Sequence, residues 1–90
     1  MTIYVVGYDL HPKEGQTYTK LENALKTFNN PWHCLDSTWL VKTDLTAVAL
    51  RDFLWQHMYV DDQLLVVTYS REAAWKGFSG DCATWLNSNL

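Results

Sequence analysis

A chain of 90 residues is long enough for one hydrophobic core and too short for two, since domains commonly run to about 100–150 residues. Its composition, 48% hydrophobic with five Trp, five Tyr and three Phe, is that of a globular domain with an aromatic load heavy enough that some rings are expected at an interface or a pocket. Seven basic residues stand against ten acidic ones for a net charge of -3, and the basic residues are scattered, which argues against tight binding to duplex DNA because that needs several Lys or Arg in one footprint.

In chain order, Ile3 to Leu10 is rich in β-branched and aromatic residues and ends at His11-Pro12-Lys13-Glu14-Gly15, so a strand followed by a breaker-rich loop is expected. Tyr18, Leu21, Ala24, Leu25 and Phe28 then fall on one face at helical spacing, which predicts a helix over Thr17–Asn29, capped by Thr17 or by Thr19 and stopped by Asn29-Asn30-Pro31. Trp32–Asp36 and Thr38–Thr43 read as two strands meeting at Asp36-Ser37, although no Asn-Gly or Asp-Gly marks the joint. Ala47, Leu50, Leu54 and Met58 align for a second helix over Thr46–Met58. Asp61-Asp62 turns the chain into a fourth strand over Gln63–Tyr69, and a short helix over Asp81–Asn87 is expected in the tail.

The order strand, helix, strand, strand, helix, strand predicts a single α+β domain over residues 1–90, a ferredoxin-like βαββαβ sandwich with both helices on one face of the sheet and a C-terminal tail. Strands one and four are apolar on both sides, Ile3 and Val5 opposite Tyr4, Val6 and Tyr8, and Leu64 and Val66 opposite Leu65 and Val67. A strand wet on one face should alternate with polar residues. A second covering is therefore expected, from either the C-terminal tail or a second copy of the chain; the second copy, with the tail from Trp75 to Leu90 crossing onto it, is the favoured form. Cys34 and Cys82 lack a paired spacing and are expected as free, buried thiols. The N-terminus carries no secretion-signal pattern and the longest apolar run is far below the ~20 residues of a membrane span. A soluble, cytoplasmic protein without membrane contact is the expectation.

Asp9 is the most suggestive polar residue, because the strand ends there and sends a carboxylate outward. In a two-fold dimer it occurs twice; with the axis close by, two carboxylates face each other and either raise one pKa or recruit a divalent cation, and a metal held that way could activate water against a phosphodiester. The competing structural role, an Asp that caps the loop after a strand, stays open. Tyr8 stands where it meets either a base or an interface, and His11 lies on the loop two residues on. His33 and Cys34, adjacent in a strand, point to opposite faces and cannot act together. No His or Cys spacing suggests a zinc site, and Gly77-Phe78-Ser79-Gly80 lacks the spacing and Lys of a phosphate-binding loop.

At Tyr4-Val5-Val6-Gly7-Tyr8-Asp9-Leu10 the chain resembles the opening strand of the CRISPR-associated Cas-two family, an apolar strand ending in Tyr-Asp. Trp32 to Val41 and Ala74-Trp75-Lys76-Gly77-Phe78 look closer still to short Cas-two-like bacterial proteins labelled "SinR family". The resemblance implies a ferredoxin-like homodimer, related also to the virulence-associated protein D ribonucleases, with Asp9 as the metal-binding residue near the dimer axis and Mg²⁺ as its cofactor. It implies a nuclease acting on RNA, with Tyr8 near the substrate and Ser37 matching the serine of the family's second-strand region. The absence of a basic patch and of an Arg-rich first helix departs from the CRISPR adaptation subunits and sets duplex DNA and spacer acquisition aside. The alternatives are a noncatalytic dimeric module for a protein, nucleotide or nucleic-acid partner in a toxin-antitoxin or defence setting, and an oligomerisation domain with no ligand.

Overall fold

The computed structural model describes residues 1–11 and 19–90. It is an α+β domain with the order β1 (Thr2–Asp9), α1 (Thr19–Lys26), β2 (Trp32–Leu35), β3 (Thr38–Thr43), α2 (Ala47–Trp55), β4 (Gln63–Thr68) and α3 (Gly80–Asn89). The start expected for the first helix at Thr17, and with it the choice of cap, falls outside the described residues. The four strands form one antiparallel sheet in the spatial order β2-β3-β1-β4, so β1 and β3 are central and β2 and β4 are edges.

Strand alternation decides which residues meet which layer. Cross-strand partners point to the same side, and the pairs Tyr4↔Val41, Val6↔Trp39, Val6↔Val66 and Tyr8↔Leu64 share one face. Against that face α1 packs Leu21, Ala24 and Leu25, and α2 packs Leu50 and Leu54, making the main core. The opposite pairs, Val5↔Leu40, Val5↔Val67 and Gly7↔Leu65, form the second face.

Both expected helices on the first face end earlier than their apolar pattern. After Lys26 the chain tightens, with Thr27 and Phe28 N–H donating to the carbonyls three residues back, and Asn30 takes a left-handed conformation at φ 50 before Pro31. Proline disfavours the helical region for the residue it follows, and Asn tolerates the left-handed one. After Trp55 the His57 and Met58 N–H groups likewise bond three residues back, the tightening common at helix ends. The start of α2 agrees with the sequence, since Thr46 Oγ1 accepts from Ala49 N at 3.1 Å. In the β2–β3 hairpin neither Asp36 nor Ser37 has a positive φ, so the turn is not of the primed type that matches strand twist, and the register slips between Trp32 and Leu35.

Two expectations are corrected on the second face. The tail does not leave the molecule: α3 folds back on its own sheet, placing Trp85 and Leu86 over Trp32 and Leu40, with Ile3, Val5, Phe78 and Leu90 around them. Cys34 and Cys82 are not free thiols but a disulfide joining β2 to α3, with Cα atoms 6.2 Å apart. The indole N–H of Trp32 donates to Cys82 O at 3.1 Å, that of Trp85 to Asn30 O at 2.7 Å, and Lys42 Nζ donates to Asn89 Oδ1 at 2.7 Å. Lys42 also lies 6.0 Å from the Trp85 ring, within reach of a cation–π attraction. This covering stops short of β4, where Leu65 and Val67 are 63% and 42% exposed.

Candidate functional site

The C-terminal end of β1 carries Tyr8 toward the helices and Asp9 toward the second face, because successive strand residues alternate. Tyr8 N–H donates to Ser37 O at 3.1 Å, which draws the β2–β3 turn against this end of the strand. Tyr8, Asp9 and Ser37 thus meet at one corner of the sheet. They share a recess of about 700 Å³ whose other walls include Glu22 from α1 and His33 and Asp36 from the hairpin. A shallower recess of about 370 Å³ on the other side of the strand end is lined by Gly7, Asp9, Ser37, Gln63 and Leu65, among others. Asp9 and Ser37 stand at the boundary of the two and are exposed.

Tyr8 is the best-anchored member of this corner. Its hydroxyl accepts from Trp39 Nε1 at 2.9 Å and lies 3.5 Å from Asp36 O. Burial raises its pKa above the ordinary phenol value; the hydrogen bond from Trp39 works against that shift, and the charges of Glu22 and Asp36 work with it. Tyr8 is therefore a neutral phenol at physiological pH, suited to hold or orient a ligand and not to serve as a base. The His33 ring stacks on Trp39, with centroids 3.9 Å apart and planes 12° from parallel, while Cys34 points to the other face and into the disulfide. The two adjacent side chains thus leave edge strand β2 in opposite directions, although both border the same recess.

Three carboxylates, Asp9, Glu22 and Asp36, line the larger recess, and no Lys or Arg among the described residues does. They do not converge: no group of three or more His, Cys, Asp or Glu among the described residues is placed to hold a metal ion. A single chain therefore offers one carboxylate at Asp9, where Mg²⁺ is commonly held by one or two carboxylates together with waters and substrate phosphate. A second Asp9 would supply a second carboxylate.

Sequence reasoning missed Asp62. It is buried, at 7% exposure, and its carboxylate accepts from His11 N and from Tyr59 N, both at 2.8 Å. It thereby ties the loop leaving β1 to the turn entering β4, immediately beside the Asp9 corner. His11, a candidate base or ligand, is exposed and contributes its backbone N–H to this staple. The only signal in the sequence was the Asp61-Asp62 pair, which a plain turn explains equally well. Glu22 was missed too, as a first-turn helix residue with nothing to point it at β1.

Among the described residues no helix is long and apolar enough to cross a membrane. Compared with protein-family models, with curated proteins and with solved structures, the chain matches none.

Proposed function

We propose that the chain is a ferredoxin-like, Cas-two-like homodimer that cuts RNA with a divalent cation, Mg²⁺, shared between two copies of Asp9. The observation that carries it is the position of that carboxylate. Asp9 is exposed, its carboxylate has no hydrogen-bond or ion-pair partner among the described residues, and it ends the strip of Gly7, Leu65 and Val67 that α3 leaves bare on the second face. A second copy turned about that strip covers it and brings a second Asp9 alongside the first. The name ferredoxin-like is supported by the order β2-β3-β1-β4 with α1 and α2 on one face, the arrangement that two interleaved β-α-β units produce.

A divalent ion bound there supplies charge neutralisation and a more acidic water at an RNA phosphodiester. The chain's own residues hold and align the substrate around it. Tyr8, neutral and fixed by Trp39, lines the shared recess from the helix side of the strand end, and Ser37 offers an exposed hydroxyl from the adjoining turn. Among the described residues neither recess is lined by Lys or Arg, so a bound cation would offset the charge of an approaching phosphate. Metal dependence belongs to this reading.

The same shortage of cationic side chains favours the second reading, a noncatalytic dimeric module for a protein or nucleotide partner in a toxin-antitoxin or defence setting. An end-labelled RNA incubated with wild-type protein and Asp9→Asn, each with Mg²⁺ or with EDTA, separates the two. Cleavage that requires Mg²⁺ and falls at least about 100-fold in Asp9→Asn supports the nuclease. No cleavage, or cleavage equal in the variant, removes it and leaves the binding module. The proposed setting is cytoplasmic, where disulfides are scarce and those present are transient or redox-sensing.

A further inference from the structure

The disulfide has a task that neither reading of Asp9 uses. Cys34 sits in edge strand β2 and Cys82 is the third residue of α3, and 48 residues of chain separate them. The segment 69–79 that carries the chain from β4 to α3 has no regular structure, and Ser70 to Gly77 are exposed throughout. Its one aromatic anchor on the second face is Phe78, edge-on to Trp32 with ring centroids 5.1 Å apart, just before α3 begins. The helix itself has 10 residues and buries only Trp85 and Leu86. Isolated helices shorter than about 12–15 residues are marginal in water, so α3 is helical only while docked. Docking and helicity rise and fall together.

Both cysteines line an open groove of about 600 Å³ between β2 and α3 and are only partly buried. A thiolate therefore reaches the sulfurs without unfolding the main core, which lies on the opposite face of the sheet. We propose that the Cys34–Cys82 bond is a redox latch: oxidised, it holds α3 on the second face, and its reduction by a dithiol frees α3 and bares Val5, Trp32 and Leu40 beneath it. The exchange is balanced. One thiolate of the dithiol attacks a bridging sulfur, forming a mixed disulfide and releasing the other cysteine as a thiolate. The dithiol's second sulfur then displaces the remaining cysteine, so two electrons and two protons pass to the protein and the reductant leaves as a disulfide. The latch stands whether or not Asp9 binds a metal.

Hydrogen exchange of the full chain, read by mass spectrometry in the oxidised form and after dithiothreitol, tests it. Thiol titration is expected to find no free thiol before reduction and two after. Amides of α3 are expected to exchange at least about tenfold faster in the reduced protein, with β1 and β3 amides unchanged, because opening is confined to one cooperative unit. Cys34→Ser without reductant should match the reduced wild type; should that variant not fold, the wild-type pair alone decides. Equal α3 exchange in the two forms, acceleration of β1 and β3 equal to that of α3, or two free thiols in the air-oxidised protein overturns the latch.

Discussion

Tyr8 shows how one side chain links the core to the candidate site. Trp39 is 2% exposed and its indole N–H finds its acceptor in the Tyr8 hydroxyl, so Tyr8→Phe strands a buried donor. Leaving such a group unsatisfied costs about 1–3 kcal/mol, and urea unfolding at neutral pH is expected to show a loss of that size, where an exposed Tyr would show none. The raised pKa gives the test a second arm. Above the unfolded phenol's value of about 10, the unfolded chain has released a proton that native Tyr8 still holds, so wild-type stability falls as pH rises toward the folded value. Tyr8→Phe lacks that loss, and the gap between the two proteins should narrow in alkali; a gap independent of pH contradicts the assignment. Part of the corner was legible at this scale: the end of β1 at Tyr8-Asp9 and the turn at Asp36-Ser37 could be read locally, but the β1–β3 register that sets Ser37 beside Tyr8 could not. Asp62 was not, since what buries it are two backbone donors, one of them 51 positions away. The disulfide was not either: a separation of 48 residues carries no local signature, and an even cysteine count was its only trace.

At the level of elements, what the pattern foretold best was the set of segments whose own residues determine them. The apolar stripe of α2 and its Thr46 cap are local, and Thr46→Ala is expected to cost about 1 kcal/mol, seen as faster exchange in the first turn of the helix; unchanged exchange there would show that the bond to Ala49 does not matter. Helix C-termini were legible only to within a turn, because Phe28 and Met58 stay on the apolar face, packed against the core, after the backbone has left the helix. The tail was the least legible element. Its apolar residues announced that they would cover something, and a covering helix satisfies that demand equally well in its own chain or in a neighbour's. What fixes it in place are contacts distant in sequence, Trp85 to Asn30, Lys42 to Asn89 and Cys34 to Cys82, none of which a spacing rule contains.

For the molecule as a whole, the two edges of the sheet are treated differently. Edge strand β2 is preceded by Pro31, followed by Asp36 and packed against α3, all devices that blunt an edge against pairing. Edge strand β4, Gln-Leu-Leu-Val-Val-Thr, contains no charge and no proline, and its Leu65 and Val67 side chains are exposed. At about 25 cal/mol per Å² of apolar surface removed from water, covering that strip favours association, and nothing on β4 opposes it. The proposed dimer therefore uses the β4 half of the second face, the half α3 does not reach, and Leu65→Asp sets two charges against each other across the axis. Light scattering behind size exclusion should give wild-type protein at twice its 10.5 kDa chain mass and Leu65→Asp at the chain mass, with the same far-ultraviolet circular dichroism. Wild-type protein that runs as a monomer at micromolar concentration would leave Asp9 without its counterpart, and the shared cation site would have to be abandoned together with the dimer.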